Sequence, residues 1–185
     1  MNIGIVGLGY VGLPLAFALA RKYSVKGLDI NSNRIKRLSQ MEDDTKELSK
    51  YKLQQVIGSS LNLSTNIDDL KDCNIFIITV PTPVTENKMP NLTPVESATA
   101  SIGSILKKGD IVVYESTFYP GVTEDICVPI LEKKSNLKFN EEFSVGYSPE
   151  RINPGDKEHT ITKIKKVVSG SNLDCLKTLS NLYRS

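Results

Sequence analysis

The sequence GLGYVG, residues 7–12, fits the pattern G-x-G-x-x-G and is the stretch that decides the fold class. It follows a short apolar run, residues 3–6, which has the length and composition of a buried strand. It leads into a mostly apolar segment, residues 11–22, which we predict to be a helix. A glycine turn between a strand and a helix is the sequence signature of a dinucleotide-binding βαβ unit.

Each glycine of this turn has its own predicted purpose. Gly7 permits the tight turn, Gly9 lets a pyrophosphate approach the backbone, and Gly12 lets the helix pack closely against the strand. The free N–H groups at the start of the helix would then face the anion. A lone match to the pattern is weak, and a glycine turn without a ligand is the alternative. The flanking strand and helix favour cofactor binding.

The second predicted strand, residues 25–30, carries Asp29 at its end. A carboxylate there accepts hydrogen bonds from an adenosine ribose and repels the 2′-phosphate of NADP. Because no basic residue follows directly, the pattern favours NAD. Taken alone, Asp29 is also typical of an N-cap for a helix starting at Asn31. Arg34, one helical turn later, either flanks the adenine or is a solvated arginine.

Apolar runs of strand length alternate with longer mixed segments along the whole chain. The runs are almost continuously apolar, as expected for a sheet that is covered on both faces. This alternation predicts an α/β fold of the Rossmann type, a doubly wound parallel sheet with helices on both faces. Segment 41–60 is the most polar, and we predict a loosely packed helical insertion there. Further strands are predicted at 61–64, 74–80, 110–114, 143–147 and 166–169, and further helices at 94–108, 122–134 (kinked at Pro129) and 173–183.

The composition excludes several classes of protein. A chain of 185 residues with 39% hydrophobic and 24% charged residues is an ordinary globular one. A net charge of +2, from 23 basic and 21 acidic side chains, gives no electrostatic case for binding nucleic acid or a membrane surface. The three cysteines are odd in number and widely spaced, which favours a reducing compartment. No apolar run is long enough to span a membrane, the N-terminus lacks the basic region of a signal peptide, and no zinc ligand set is present. We therefore expect a cytoplasmic protein without a metal, a membrane or a nucleic-acid partner.

Polar residues follow three of the predicted strands at their carboxyl ends, where ligands collect in open α/β sheets. Thr82 follows one strand, Thr117 follows the next, and Glu150 follows a third. The hydroxyl groups can bind a nicotinamide ribose or hold a water, and the carboxylate can act as a general base on that water. Turn chemistry is the alternative for the two threonines. A solvated acid, or a partner of Arg151, is the alternative for Glu150.

Segment 151–166 has a local excess of basic residues. This excess would face an anionic substrate such as a nucleotide diphosphate, or it would form a solvated surface. Cys73, Cys127 and Cys175 do not lie at predicted strand ends that face the cleft, so we interpret all three as structural thiols.

Five features of the sequence form a further pattern when taken together. They are GLGYVGLP at 7–14, Asp29, VPTP at 80–83, ESTFYPGVTE at 115–124 and SPERINPGDKEH at 148–159. Together they resemble the UDP-glucose/GDP-mannose dehydrogenase family over essentially the whole chain. The last string is the most specific, and it looks like the branch that oxidises UDP-N-acetylhexosamines, particularly UDP-N-acetyl-D-galactosamine, in capsule and O-antigen synthesis.

The resemblance implies an oxidation in which two molecules of NAD⁺ accept hydrides while the C6 hydroxymethyl group of a UDP-sugar becomes a carboxylate. It implies that Thr117 holds the catalytic water and Glu150 assists its attack. Glu150, Arg151 and Asn153 would border the sugar. Contacts with NAD are implied for Gly7, Gly9, Tyr10, Val11, Gly12, Asp29, Arg34, Thr82 and Thr117.

The family's catalytic cysteine and assisting lysine lie in a C-terminal domain and a long central helix that this sequence does not contain. We therefore expect residues 1–185 to be the N-terminal NAD-binding domain of a longer enzyme, homodimeric when complete and inactive as this chain alone. Another two-domain NAD dehydrogenase, of the 6-phosphogluconate or 3-hydroxyacid type, is one alternative. A free-standing dinucleotide-binding module is the other.

Overall fold

A computed structural model gives the structure of the protein and describes residues 1–149 and 166–184. The described chain forms a seven-stranded sheet. The strands are β1 (Asn2–Val6), β2 (Ser24–Leu28), β3 (Leu61–Ser64), β4 (Ile75–Ile78), β5 (Ile111–Tyr114), β6 (Ser144–Tyr147) and β7 (Ser169–Gly170). Their order in the sheet is β3-β2-β1-β4-β5-β6-β7. The first six strands are parallel to one another, and β7 pairs with β6 in the antiparallel direction.

Helices cover both faces of this sheet. They are α1 (Gly12–Ala20), α2 (Ser32–Ser39), α3 (Lys50–Gln54), α4 (Thr93–Gly103), α5 (Val128–Ser135) and α6 (Leu173–Arg184). Apolar side chains of α1, α2, α3 and α6 pack in one core cluster with Ile3 and Ile5 of β1. Those of α4 and α5 pack in a second cluster with Val6. The predicted doubly wound α/β fold is therefore confirmed.

The strand order places a crevice at the carboxyl ends of β1 and β4. From β1 the chain proceeds outward to β2 and β3, and then returns to the other side of β1 as β4. The connections on the two sides diverge at this point, and ligands of open α/β sheets bind in the crevice so formed. Within the described residues, no helix combines the length and apolar character that crossing a bilayer requires.

The helix predicted over 122–134 is divided into two parts. A π-helical segment, Val122–Cys127, leads directly into α5, and Pro129 lies in the first turn of α5. Proline has no backbone N–H to donate to a carbonyl group of the preceding turn, so it interrupts the α-helical hydrogen bonding. The change of helix type therefore falls where the kink was predicted. The helix predicted over 94–108 ends early, at Gly103, and the strand predicted over 166–169 pairs only at Ser169–Gly170.

The prediction of a loosely packed helical insertion over residues 41–60 is wrong. Only α3 is helical there, and Leu48, Leu53 and Val56 are buried in the core cluster with β1. One of its polar residues, Asp43, has a side chain that is buried within the segment. Its carboxylate accepts backbone N–H groups from Thr45, Glu47 and Leu48 at 2.9–3.0 Å and so replaces helical hydrogen bonds with a compact turn.

Candidate cofactor-binding site

The glycine turn lies between β1 and α1 and is shaped by two crowded glycines. Gly7 has a φ of +93°, in the left-handed region that favours glycine. A Cβ added at Gly12 would lie 1.9 Å from the carbonyl oxygen of Gly7 and 2.3 Å from the Thr79 hydroxyl. Both positions therefore require glycine for the fold itself, as predicted for the tight turn and for close helix packing.

Gly9 differs from the other two glycines of the turn. A Cβ built there would meet no atom within 4 Å, so this part of the backbone faces open space. Glycine at this position has no packing reason in the fold. An open backbone at the N-terminal end of a helix is the arrangement that binds a phosphate group.

Asp29 holds the glycine turn to the end of β2. Its Oδ2 accepts the backbone N–H of Leu8 at 2.9 Å, and its Oδ1 accepts the backbone N–H of Asn31, also at 2.9 Å. The N-cap of α2 is Asn31, whose side chain accepts the N–H groups of Asn33 and Arg34. The N-cap alternative for Asp29 is therefore wrong. Each carboxylate oxygen keeps capacity for a second hydrogen bond, such as one from a ribose hydroxyl.

The guanidinium of Arg34 points inward behind the glycine turn. Its Nε donates to the carbonyl oxygen of Leu8 at 2.9 Å, and its Nη1 lies 2.8 Å from Oδ1 of Asp43. Arg34 is only 7% exposed, so the solvated alternative is wrong. Its contact with adenine remains a prediction, and in this structure Arg34 connects the glycine turn to the Asp43 turn.

The Asp43 carboxylate is stabilised in its charged form. Burial by itself raises the pKa of Asp43, but hydrogen bonds from Thr45 and Leu48 and the charge of Arg34 together outweigh burial. The net effect is a pKa below the ordinary value. A paired, hydrogen-bonded carboxylate is the form in which a buried acid is tolerated.

A cleft of about 220 Å³ opens above the glycine turn at the carboxyl ends of β1, β2, β4 and β5. It brings together most of the predicted cofactor residues, but Gly12 and Arg34 are not among the residues that line it. Glu150, Arg151 and Asn153 lie outside the described residues. The lining residues are Gly7, Gly9, Tyr10, Val11, Asp29, Thr79, Val80, Pro81, Thr82, Glu115, Ser116 and Thr117.

The loops that follow β4 and β5 are hydrogen-bonded to each other across the cleft. The Thr82 hydroxyl donates to the carbonyl oxygen of Thr117 at 3.0 Å. The Ser116 hydroxyl donates to the carbonyl oxygen of Val80 at 2.9 Å. Thr82 and Thr117, which we predicted to lie at strand ends where ligands collect, are therefore neighbours.

Thr79 and Glu115 line the cleft and received no role from the sequence. The Thr79 hydroxyl donates to the carbonyl oxygen of Gly7 at 2.7 Å and so fixes the glycine turn to β4. Glu115 is 1% exposed, forms an ion pair with Lys166 and accepts a hydrogen bond from the Tyr183 hydroxyl. A polar residue at the end of an apolar strand was the available signal in both cases.

The structure describes all three cysteines of the chain, and all three are free and buried. Burial raises the pKa of the Cys73 thiol to about 11 and also raises the pKa values of Cys127 and Cys175. None of them lines the cleft. A buried thiol that resists ionisation is a poor nucleophile, which agrees with their interpretation as structural residues. Across residues 1–149 and 166–184, no cluster of three or more His, Cys, Asp or Glu side chains could hold a metal ion.

Comparison with known proteins agrees with this geometry. The model of the UDP-glucose/GDP-mannose dehydrogenase family, NAD binding domain, matches residues 1–185. The chain belongs to this family. Its cofactor is therefore NAD.

Individual relatives and a solved structure are similar to the chain over its whole length. The chain is 55% identical over 184 residues to a UDP-N-acetyl-D-glucosamine 6-dehydrogenase of Pseudomonas aeruginosa, covering 100% of this chain and 43% of that protein. It is 48% identical to protein CapL of Staphylococcus aureus, with the same two coverages. A solved UDP-D-ManNAc dehydrogenase from Pyrococcus horikoshii superimposes with a TM-score of 0.91 at 32% identity, covering 100% of this chain and 44% of that one. The chain thus spans less than half the length of these relatives.

Proposed function

We propose that this chain is the NAD-binding half of a nucleotide-sugar 6-dehydrogenase, which oxidises the C6 hydroxymethyl group of a UDP-N-acetylhexosamine to a carboxylate. The observation that carries the proposal is the open backbone of Gly9 beside Asp29, in a chain that belongs to this family. Relatives at 55% and 47% identity are named UDP-N-acetyl-D-glucosamine 6-dehydrogenases. The glucosamine sugar is therefore the first substrate to test, ahead of the galactosamine epimer expected from the resemblance.

The cleft residues fit NAD. Gly9 leaves room for the pyrophosphate, and the N-terminus of α1 directs backbone N–H groups and the positive end of its dipole toward it. Asp29 offers acceptors to the adenosine ribose. We assign Thr82 and Thr117, which line the same cleft, to contact with the nicotinamide ribose. When bound, NAD⁺ accepts the hydride from the carbon that is oxidised.

We assign the handling of water to Thr117 and Glu150. Thr117 is exposed on the wall of the cleft. Tyr114 of β5 pairs with Tyr147 of β6, and Thr117 and Glu150 each stand three positions after one member of that pair. Two residues at matched positions beyond neighbouring parallel strands can share one water. The resemblance implies that the oxidised sugar is held as a thioester, an acyl intermediate, on the family's catalytic cysteine outside this chain. The hydroxyl holds the water, and the carboxylate accepts its proton when that water hydrolyses the thioester. Arg151 and Asn153 follow directly and border the sugar in this proposal.

The complete protein is proposed to act as a homodimer in the cytoplasm on a soluble UDP-sugar. Three buried thiols without a disulfide support a reducing compartment. Sedimentation of the complete protein measures the oligomeric state, and a monomer at micromolar concentration would contradict that part of the proposal.

The experiment is a turnover assay on the complete reading frame that contains this chain. NADH formation is followed with UDP-N-acetylglucosamine, UDP-N-acetylgalactosamine and UDP-glucose. We expect two NADH for each sugar oxidised and the highest kcat/KM for an N-acetylhexosamine. The 185-residue chain alone is expected to show no turnover, because its cysteines are buried away from the cleft. Activity on 6-phosphogluconate but on no nucleotide sugar would contradict the proposal.

A further inference from the structure

A buried charged cluster lies beneath the cleft at the end of β5. The Glu115 carboxylate pairs with the Lys166 ammonium, and their side chains are 0% and 8% exposed. The Tyr183 hydroxyl, from α6, donates to the other carboxylate oxygen. The Lys166 ammonium also lies 5.7 Å from the centroid of the Tyr183 ring. Burying two charges is costly unless they are paired and hydrogen-bonded, so this geometry is strongly constrained.

The cluster stands where segment 149–165 leaves the sheet and where it returns. At the outgoing end, the backbone N–H of Ser148 donates to the carbonyl oxygen of Tyr114, the residue before Glu115, at 3.0 Å. At the returning end, Lys166 itself is the ion-pair partner of Glu115. The antiparallel pairing of Tyr147 with Ser169 holds the two ends side by side. The described residues that flank the segment, 147–148 and 166–169, are thus attached at the end of β5.

The same point also forms part of the cleft wall. Glu115 lines the cleft together with Ser116 and Thr117, the next two residues of the chain. Ser116 is fixed in turn to the loop after β4 through its bond to Val80. A continuous set of hydrogen bonds and one ion pair therefore runs from the cofactor cleft to both ends of the segment.

We propose that Glu115 is a positioning residue, which through Lys166 and Tyr183 holds the ends of segment 149–165 in register with the cofactor cleft. This inference rests on the proposed function, which assigns Glu150, Arg151 and Asn153 of that segment to water and sugar. The carboxylate of Glu115 is engaged by Lys166 and Tyr183, so its contribution is to alignment and not to chemistry. Its removal weakens productive binding of the UDP-sugar and leaves cofactor affinity almost unchanged.

The test uses the complete protein and compares four variants. Glu115→Gln keeps the shape and removes the charge of the acid. Glu115→Gln/Lys166→Gln removes both charges, so that no buried charge is left unpaired if the single variant folds poorly. Lys166→Arg keeps the ion pair. Glu142→Gln is the matched control, because it removes an ion pair with Lys108 that lies before β5 and β6, away from the cleft.

The expected result is a change in KM for the UDP-sugar that is separate from any change in NAD binding. Both Gln variants raise this KM roughly tenfold, which is less than the roughly hundredfold loss that a misplacement of about 1 Å can cause. Their calorimetric Kd for NAD⁺ stays within about twofold of the parent, while Lys166→Arg and Glu142→Gln behave like the parent protein.

Unchanged KM in a folded double variant would overturn the proposal. An equal weakening of NAD⁺ binding and of UDP-sugar binding would also overturn the proposal, because Glu115 would then only shape the cleft. Absence of any UDP-sugar turnover in the parent protein would instead reject the proposed function, and this inference with it.

Discussion

Arg34 and Asp43 form a buried ion pair directly behind the glycine turn, with side-chain exposures of 8% and 1%. Arg34 donates a hydrogen bond to the Leu8 carbonyl oxygen of the glycine turn. Asp43 accepts the backbone N–H groups of Glu47 and Leu48 in the loop before α3. A segment with a polar, irregular sequence is thereby tied to the cofactor site. The pair stabilises the shape of the cleft without lining it.

Asp43→Asn is expected to lower the free energy of unfolding by about 3 kcal/mol, because it leaves the Arg34 charge buried without its counter-charge. Urea denaturation followed by circular dichroism measures this loss. Asp44→Asn is the matched control. Asp44 pairs with Arg37 on the surface, with exposures of 40% and 49%, so its loss is expected to cost less than about 1 kcal/mol. An equal loss in the free energy of unfolding for the two substitutions would show that the buried ion pair contributes no more to stability than the exposed one.

The same pair predicts the direction of acid destabilisation. The folded-state pKa of Asp43 lies below the ordinary value of 3.8, so its contribution to stability is fully present above that pH and is lost as pH falls below it. Burial raises the pKa of Asp110, which acts in the opposite direction but is common to both proteins. The stability gap between the parent and Asp43→Asn should therefore narrow from pH 5 toward pH 2. A gap that stays constant over this range would contradict the shift.

Gly9→Val should abolish detectable NAD binding while leaving the melting temperature nearly unchanged. The Cβ of the added side chain meets no protein atom within 4 Å beyond its chain neighbours, and the side chain fills the space assigned to the pyrophosphate. Gly12→Val is the contrasting variant. Its Cβ would lie 1.9 Å from the Gly7 carbonyl oxygen, so it should fail to fold. Binding of NAD by folded Gly9→Val with the parent's affinity would show that the turn is structural only.

Glu150→Gln in the complete protein should slow hydrolysis of the acyl intermediate more than the first hydride transfer. The amide keeps the size of the side chain but cannot accept a proton from water. Intact-protein mass spectrometry should then detect a sugar adduct on a cysteine outside this chain. A variant that turned over at the parent rate, or that stalled before any adduct formed, would remove this role from Glu150.

Features determined by local sequence were predictable, and those set by distant partners were not. The glycine turn, the apolar strands and Asp29 each follow from a few neighbouring residues. The inward direction of Arg34 depends on Asp43 and on the Leu8 carbonyl, which only the folded chain brings together. Glu115 and Lys166 are 51 residues apart, and an acid after a strand does not identify its partner. Segment 41–60 was misjudged because composition does not reveal that Asp43 is buried within its own loop.

The most direct test of the account is calorimetric titration of the 185-residue chain with NAD⁺ and with NADP⁺. The account predicts one site for NAD⁺ and affinity for NADP⁺ lower by roughly tenfold or more, because Asp29 repels a 2′-phosphate. Asp29→Asn should weaken NAD⁺ binding and narrow the preference for NAD⁺ over NADP⁺. One carboxylate oxygen becomes an NH2 group, which cannot accept the N–H of Leu8 or Asn31, and the negative charge is lost. Equal affinity of the parent chain for the two cofactors, or no heat of binding with either, would contradict the central claim.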